Sequence, residues 1–245
     1  MSKVIAVTGA SAGIGRAVAE LFLARGWTVA ALARRAAPLE ELAQGEERAI
    51  ALPCDVTDEE AVASAFAKIV KKAVRLDVLF NNAGAFGPSG PIDEIGLKDW
   101  RAVLDVNLTG MFLCARAAFA QMRRQEPPGG RIINNGSISA HAPRPGSVCY
   151  STTKHGVSGL TKVLNLDGRD LGICAGQIDI GNAATEMTKG IAQGARQADG
   201  SIRPEAVMDA NDVAEAVWYM AGLPPEANVP SLTVMANRMP FIGRG

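Results

Sequence analysis

Thr8-Gly9-Ala10-Ser11-Ala12-Gly13-Ile14-Gly15 stands directly after the apolar run Val4-Ile5-Ala6-Val7 and directly before a helical pattern over residues 14–25. A strand that turns through glycines into a helix presents unpaired backbone N–H groups and the positive end of that helix to whatever lies above the turn. Such a turn suits a pyrophosphate, and the glycines are needed because a Cβ would hold the phosphates away from the backbone. Gly9, Ser11, Gly13, Ile14 and Gly15 are therefore expected to bind a dinucleotide. A tight turn without a ligand is the plainer alternative, and the strand-to-helix context argues against it.

The rest of the chain repeats that alternation. Short β-rich runs fall at residues 3–8, 28–33, 48–53, 77–81, 131–135, 173–180 and 231–236, with helical stretches at 14–25, 59–72, 97–125, 151–167 and 211–221. This predicts an α/β fold, a doubly wound parallel sheet of about seven strands with helices on both faces, in one domain with one core over residues 1–245. Pro127-Pro128-Gly129-Gly130 is the clearest stop signal. Residues 108–122 carry Arg116 as their only charge, so a helix there lacks a solvated face. Its outer side is expected to pack on a second subunit, in a homodimer or homotetramer; cover by the chain's own loops is the other reading.

Where the second strand ends, an NAD enzyme supplies an acidic residue to the ribose hydroxyls. Here the sequence runs Ala31-Leu32-Ala33-Arg34-Arg35, and no acid occurs before Glu40. Arg34 is placed to pair with a 2′-phosphate, which favours NADP (NADPH) with NAD still possible. The competing reading is that both arginines merely solvate a loop.

Composition narrows the partners. With 25 basic and 25 acidic residues the formal net charge is zero, so no summed positive field gathers nucleic acid or anionic membrane. No apolar stretch is read as approaching the roughly twenty residues of a membrane span. Cys54, Cys114, Cys149 and Cys174 lack the close pairs of a zinc or redox site, so no metal is expected. Reduced thiols and the lack of a signal-peptide pattern give a cytoplasmic expectation.

Further along lie Asp55 and Val56 in Cys54-Asp55-Val56, then Asn81-Asn82-Ala83-Gly84, Asn107 in Asp105-Val106-Asn107, and Ser137 thirteen residues before Tyr150-x-x-x-Lys154. In this order and spacing the chain resembles the short-chain dehydrogenase/reductase family, particularly members like the 3-oxoacyl carrier-protein reductases. The resemblance implies hydride transfer between a nicotinamide cofactor and a carbonyl or alcohol. It implies that Tyr150 is general acid and base, that Ser137 bonds the substrate oxygen, that Lys154 holds the nicotinamide ribose and that Asn107 anchors a water behind Lys154. Asp55 would take the adenine amine, with Asn82, Ala83 and Gly84 along the adenosine ribose. Gly181, Ala183 and Thr185 fit the family's carboxamide-binding segment, although Ile180 stands where relatives carry Pro.

Chemistry supports the Tyr150–Lys154 spacing. Lys154 lies one helical turn beyond Tyr150. At about 4 Å and an effective dielectric near 20 its ammonium would favour the phenolate by roughly 4 kcal/mol, lowering the phenol pKa by up to about three units.

Substrate choice is expected to rest on residues 139–149 and on a glycine-containing lid at residues 186–204. Ser139, His141 and Met187 are candidate lining residues, although an ordinary loop residue is the favoured reading of His141; Met187, Ile191 and Ile202 would form the apolar underside of the lid or equally pack onto the protein. The leading reading is an NADP-dependent ketone or 3-oxoacyl reductase. An alcohol or sugar dehydrogenase working oxidatively is the second, and a non-catalytic dinucleotide-sensing regulator the third. The tail at residues 237–245 has apolar anchors for a neighbouring subunit or for its own chain.

Overall fold

The structure, a computed structural model, describes residues 2–197 and 199–241. Along the chain run β1 (Val4–Thr8), α1 (Gly13–Ala24), β2 (Thr28–Ala33), α2 (Ala36–Ala43), β3 (Ala49–Pro53), α3 (Glu59–Ala73), β4 (Val78–Asn81) and α4 (Leu97–Leu104). After a π-helical turn (Asp105–Thr109) come α5 (Gly110–Arg124), β5 (Gly130–Asn135), α6 (Val148–Asp167) and β6 (Ile173–Ile180). The chain continues through α7 (Lys189–Gln193), β7 (Ala195–Arg196), β8 (Ile202–Arg203), α8 (Ala210–Gly222) and β9 (Ser231–Val234).

Seven strands form one sheet in the order β3-β2-β1-β4-β5-β6-β9, every pair parallel. Central strands of such a sheet are covered on both faces and so read as unbroken apolar runs; all five residues of β1 are buried. Alternation along β1 serves two cores rather than the single one expected. Ile5 and Val7 face one core with α1, α2 and α8, while Val4 and Ala6 face another with α3 and α5.

Two elements depart from the sequence reading. α2 was unexpected because only Leu39 and Leu42 anchor its two turns, too few for a periodic signal. The helix expected over 97–125 is interrupted by the π-helical turn, an insertion typical of functional sites. The membrane reading also needs correction. The helical run Leu97–Arg124 contains an 18-residue window of mean hydropathy 1.4 and is long and apolar enough, by length and composition, to cross a membrane. The inner face accounts for much of that apolarity: Met111, Leu113, Cys114, Ala118 and Met122 are buried, and α5 packs against β4 and β5.

Candidate active site

Strand order reverses between β1 and β4, so their following loops diverge and leave a crevice at the C-terminal edge of the sheet. A cleft of about 680 Å³ opens there. Buried Thr8 laces its floor: the hydroxyl accepts from the Asn82 N–H (2.7 Å) and the Ala83 N–H (2.9 Å), and Asn82 Nδ2 donates to the Thr8 carbonyl (2.9 Å). Asn135 Nδ2 donates to Asn82 Oδ1 at 2.7 Å, tying β5 into the same edge.

At one end the glycine turn is open to an anion. Gly9 has φ +69°, and a Cβ there would come 3.0 Å from Asn82 Nδ2. α1 starts on Ala12, which supplies no side-chain cap, and its first turn holds no acid. By contrast α3 is capped by Asp58, which accepts from the N–H groups of Glu60 and Ala61, and it carries Glu59 and Glu60 in its first turn. The positive end of α1 is therefore not satisfied by its own side chains, and the cleft has the volume of a cofactor site. Gly9, Ser11, Gly13 and Ile14 line it as expected. Gly15 does not: it packs behind the turn, where a Cβ would strike the Gly9 carbonyl and stand 2.7 Å from Asn82 Nδ2.

Past β2 both Arg34 and Arg35 line the cleft, and Arg35 Nη2 donates to Ser11 Oγ at 3.1 Å. The sequence reading gave the phosphate to Arg34 alone, and the structure brings Arg35 to the same cleft. Asp55 and Val56 lie beside them. The Asp55 carboxyl is held below its ordinary range, chiefly by the Thr57 N–H at 3.0 Å, then by the Thr57 hydroxyl and the Arg34 charge. Asn82, Ala83 and Gly84 follow, and across the cleft come Gly181, Ala183, Thr185 and Met187. The Ala183 carbonyl accepts from the Thr188 hydroxyl, and the neighbouring Ala184 N–H donates to Met208.

At the other end Tyr150 lies in the first turn of α6 and Lys154 one turn on, both lining the cleft. Tyr150 packs edge-on against Phe86, centroids 4.7 Å apart. Lys154 is buried; its Nζ donates to the Asn135 carbonyl at 2.7 Å and stands 5.4 Å from the Tyr150 ring centre. The expected lowering of the phenol by that ammonium does not appear. Burial pushes Tyr150 upward, the Ser137 hydroxyl beside it works the other way, and the charge of Asp179 adds to the rise. Burial brings Lys154 from 10.5 down to about 8, against a smaller upward pull from Asp179.

Three further expectations change. Asn107 is fully buried in the π-helical turn and does not line the cleft. Its Oδ1 accepts from the Ala85 N–H (2.7 Å), while its Nδ2 donates to the Ala85 carbonyl (2.8 Å) and to Thr153 Oγ1 (3.1 Å). The side chain thus ties the Ala85 backbone to Thr153 of α6. Ser137, Ser139 and His141 lie beside the cleft but outside its lining. Ser137 caps a short 3₁₀ turn, its Oγ accepting from the Ser139 N–H at 3.1 Å, and His141 Nε2 donates to buried Asp179 Oδ2 at 2.8 Å. In the segment after Thr185, Ile202 is 74% exposed on the β7–β8 ladder instead of forming an underside, while Met187 does line the cleft.

A family model for the short chain dehydrogenase matches residues 3–196. The chain is a short-chain dehydrogenase. This short-chain dehydrogenase is 33% identical over 243 residues to sulfoacetaldehyde reductase 2 of Chromohalobacter salexigens, covering 97% of this chain and 96% of that one. It is 31% identical over 245 residues to serine 3-dehydrogenase of Agrobacterium fabrum, covering 99% and 97%. The closed form of serine dehydrogenase complexed with NADP+ superposes with a TM-score of 0.88 at 27% identity, covering 99% and 98%. The enzyme is thus an oxidoreductase of the NAD(P)-dependent hydride-transfer class.

Two groups beside the site of this dehydrogenase went unread in the sequence. Phe86 gave no local signal, since only the fold brings it to Tyr150. Asp179 did give one: it is the only acid in β6, a strand otherwise free of charge. A lone charge in a buried parallel strand needs partners and therefore asks for a reason. The described part of the C-terminal tail docks on its own chain. Met239 is buried with its Sδ 3.4 Å from the Asn182 N–H, and Phe241 packs against the core that holds Ile5 and Val7; residues 242–245 lie outside the described residues.

Proposed function

We propose that this enzyme reduces a ketone or a 3-oxoacyl thioester with NADPH, Tyr150 acting as general acid. The observation that carries the reading is Tyr150 and Lys154, one helical turn apart, at the far end of the cleft that begins at the glycine turn. The bound cofactor supplies hydride to the carbonyl carbon. Tyr150, a phenol whose proton is held more tightly than usual, hands that proton to the carbonyl oxygen. The Ser137 hydroxyl bonds the same oxygen as its charge develops. Lys154, with a pKa of about 8, is mostly cationic at neutral pH and compensates the phenolate that results. Burial keeps Tyr150 protonated at neutral pH, the form that reduction consumes, whereas oxidation needs the phenolate as base. Initial rates in both directions across ketones, 3-oxoacyl thioesters, polyols and sugars test this. Faster oxidation of polyols or sugars would make it a dehydrogenase, and NADPH binding without turnover would make it a sensor.

Arg34 and Arg35 support NADPH over NADH, because two guanidinium groups beside Ser11 match a doubly charged 2′-phosphate. The pair Arg34→Ala and Arg35→Ala is expected to raise KM for NADPH at least about tenfold, each charge-assisted bond contributing about 1.5 kcal/mol or more. KM for NADH should stay within about twofold of its starting value, since it has no 2′-phosphate to lose. Steady-state kinetics with both cofactors checks it.

A second copy of the chain is the proposed occupant of the groove between α5 and α6, lined by Phe112, Phe119, Leu160, Val163 and Leu164. Phe112 is 45% and Val163 53% exposed, an apolar face that a dimer or tetramer would cover. Phe112→Asp combined with Val163→Asp is expected to yield monomers in light scattering, where the unaltered chain gives a larger species. Four free thiols, three of them buried, support a reducing, cytoplasmic location.

A further inference from the structure

Beneath the Ser137 turn lies a carboxylate that the proposed mechanism does not use. Asp179 is fully buried, third from the C-terminal end of the sheet's functional edge when counted back from Gly181. Its Oδ1 accepts from the Ser137 N–H at 2.9 Å and from Gln177 Nε2 at 2.6 Å, and its Oδ2 accepts from His141 Nε2 at 2.8 Å. Three donors face two oxygens, the arrangement of an ionised carboxylate. The fold makes room for it, because a Cβ on Gly136 would strike Asp179 Oδ1. The His141 side chain is half-exposed, so one end of this chain of bonds reaches the surface beside the cleft while the other holds the backbone of Ser137.

We propose that Asp179 is a positioning residue for the reaction, a buried anion that fixes the Ser137 turn from below and places a negative charge under the Tyr150–Lys154 pair. The proposal rests on the reading of Tyr150 as the proton donor. The titratable groups involved are His141 from the turn after Ser137, and Tyr150 and Lys154 from α6; Gln177 on β6 is neutral. A negative charge disfavours the phenolate and favours the ammonium, so it keeps both protons where reduction needs them. Ser137, the substrate-oxygen donor, is held by the same carboxylate, which couples the geometry of the site to its charge.

The chain has two tyrosines, which makes Tyr150 directly visible. Phenolate absorbance is titrated in the full chain, with Tyr150→Phe as the reference that leaves only Tyr219. Asp179→Asn is expected to move the Tyr150 midpoint to lower pH by about one unit, the size of a single charge acting across several ångströms of partly screened protein. His141→Ala, on the half-exposed end of the same chain of bonds, removes one donor that stabilises the carboxylate. With less of its charge compensated, the carboxylate should then move the midpoint the opposite way, to higher pH, by a smaller amount, and this variant serves if Asp179→Asn does not fold. A midpoint that stays in place in the folded variants overturns the proposal, whatever happens to turnover. In the pH profile of kcat for reduction the basic limb should shift in the same direction as the absorbance midpoint, downward for Asp179→Asn. Loss of kcat at every pH with an unmoved limb marks a merely structural role and likewise overturns it. Because the absorbance titration needs neither substrate nor cofactor, it remains decisive even if the reductase reading fails.

Discussion

Tyr150→Phe is expected to lower kcat for carbonyl reduction by about a thousandfold, within the range for loss of a positioned general acid, while Kd for NADPH changes by less than about twofold. The substitution removes one oxygen and keeps the ring. The edge-on packing against Phe86 at 4.7 Å survives, and so does the start of α6 that carries Lys154. Stability should fall little, because the phenol's neighbour, the Ser137 hydroxyl, already accepts from the Ser139 N–H. Stopped-flow or steady-state reduction rates, with cofactor fluorescence for binding, separate the two effects. Undiminished turnover in the variant would sink the assigned mechanism and leave the cofactor site standing.

Lys154→Met should do two opposite things at once. Catalysis is expected to fall by at least about a hundredfold, since no cation then balances the phenolate. The folded protein should nevertheless become more stable at neutral pH. Lys154 is 3% exposed, and its pKa falls from 10.5 in an ordinary setting to about 8 in the fold. A lysine whose folded value lies below its unfolded one binds protons less readily when folded, so it costs stability throughout the range below pH 8. That cost is about 3 kcal/mol, and loss of the bond to the Asn135 carbonyl takes back about 1, leaving a gain of about 2 for the methionine. As pH rises from 8 to 10.5 the wild-type lysine loses its charge and the gap should close. Denaturant melts of both proteins at pH 7 and pH 10 measure it; a variant less stable at pH 7 would show that the buried ammonium contributes net stability. The outcome would place Lys154 among residues kept for function at the expense of stability.

Much of this molecule is legible locally. The glycine turn, the strand runs and the Tyr150–Lys154 spacing are short-range patterns, each set by a few neighbouring side chains, and the structure places them as read. What eluded the sequence depends on long-range approach. Arg35 reaches Ser11 only because the chain bends after β2; Asn107 spends its amide on Ala85 and Thr153; Gly15 packs against Gly9 and Asn82 rather than against a ligand. The Tyr150 proton was misread for the same reason. Spacing along a helix brings an ammonium near a phenol, but it says nothing of the desolvation around both or of an acid on β6.

By itself the sequence determined the parallel sheet, the phosphate-ready turn and the identity of the groups able to move a proton, because periodicity and glycine sterics act between near neighbours. Only the tertiary structure decided how those groups are charged, since burial and the field of Asp179 belong to no single stretch of chain.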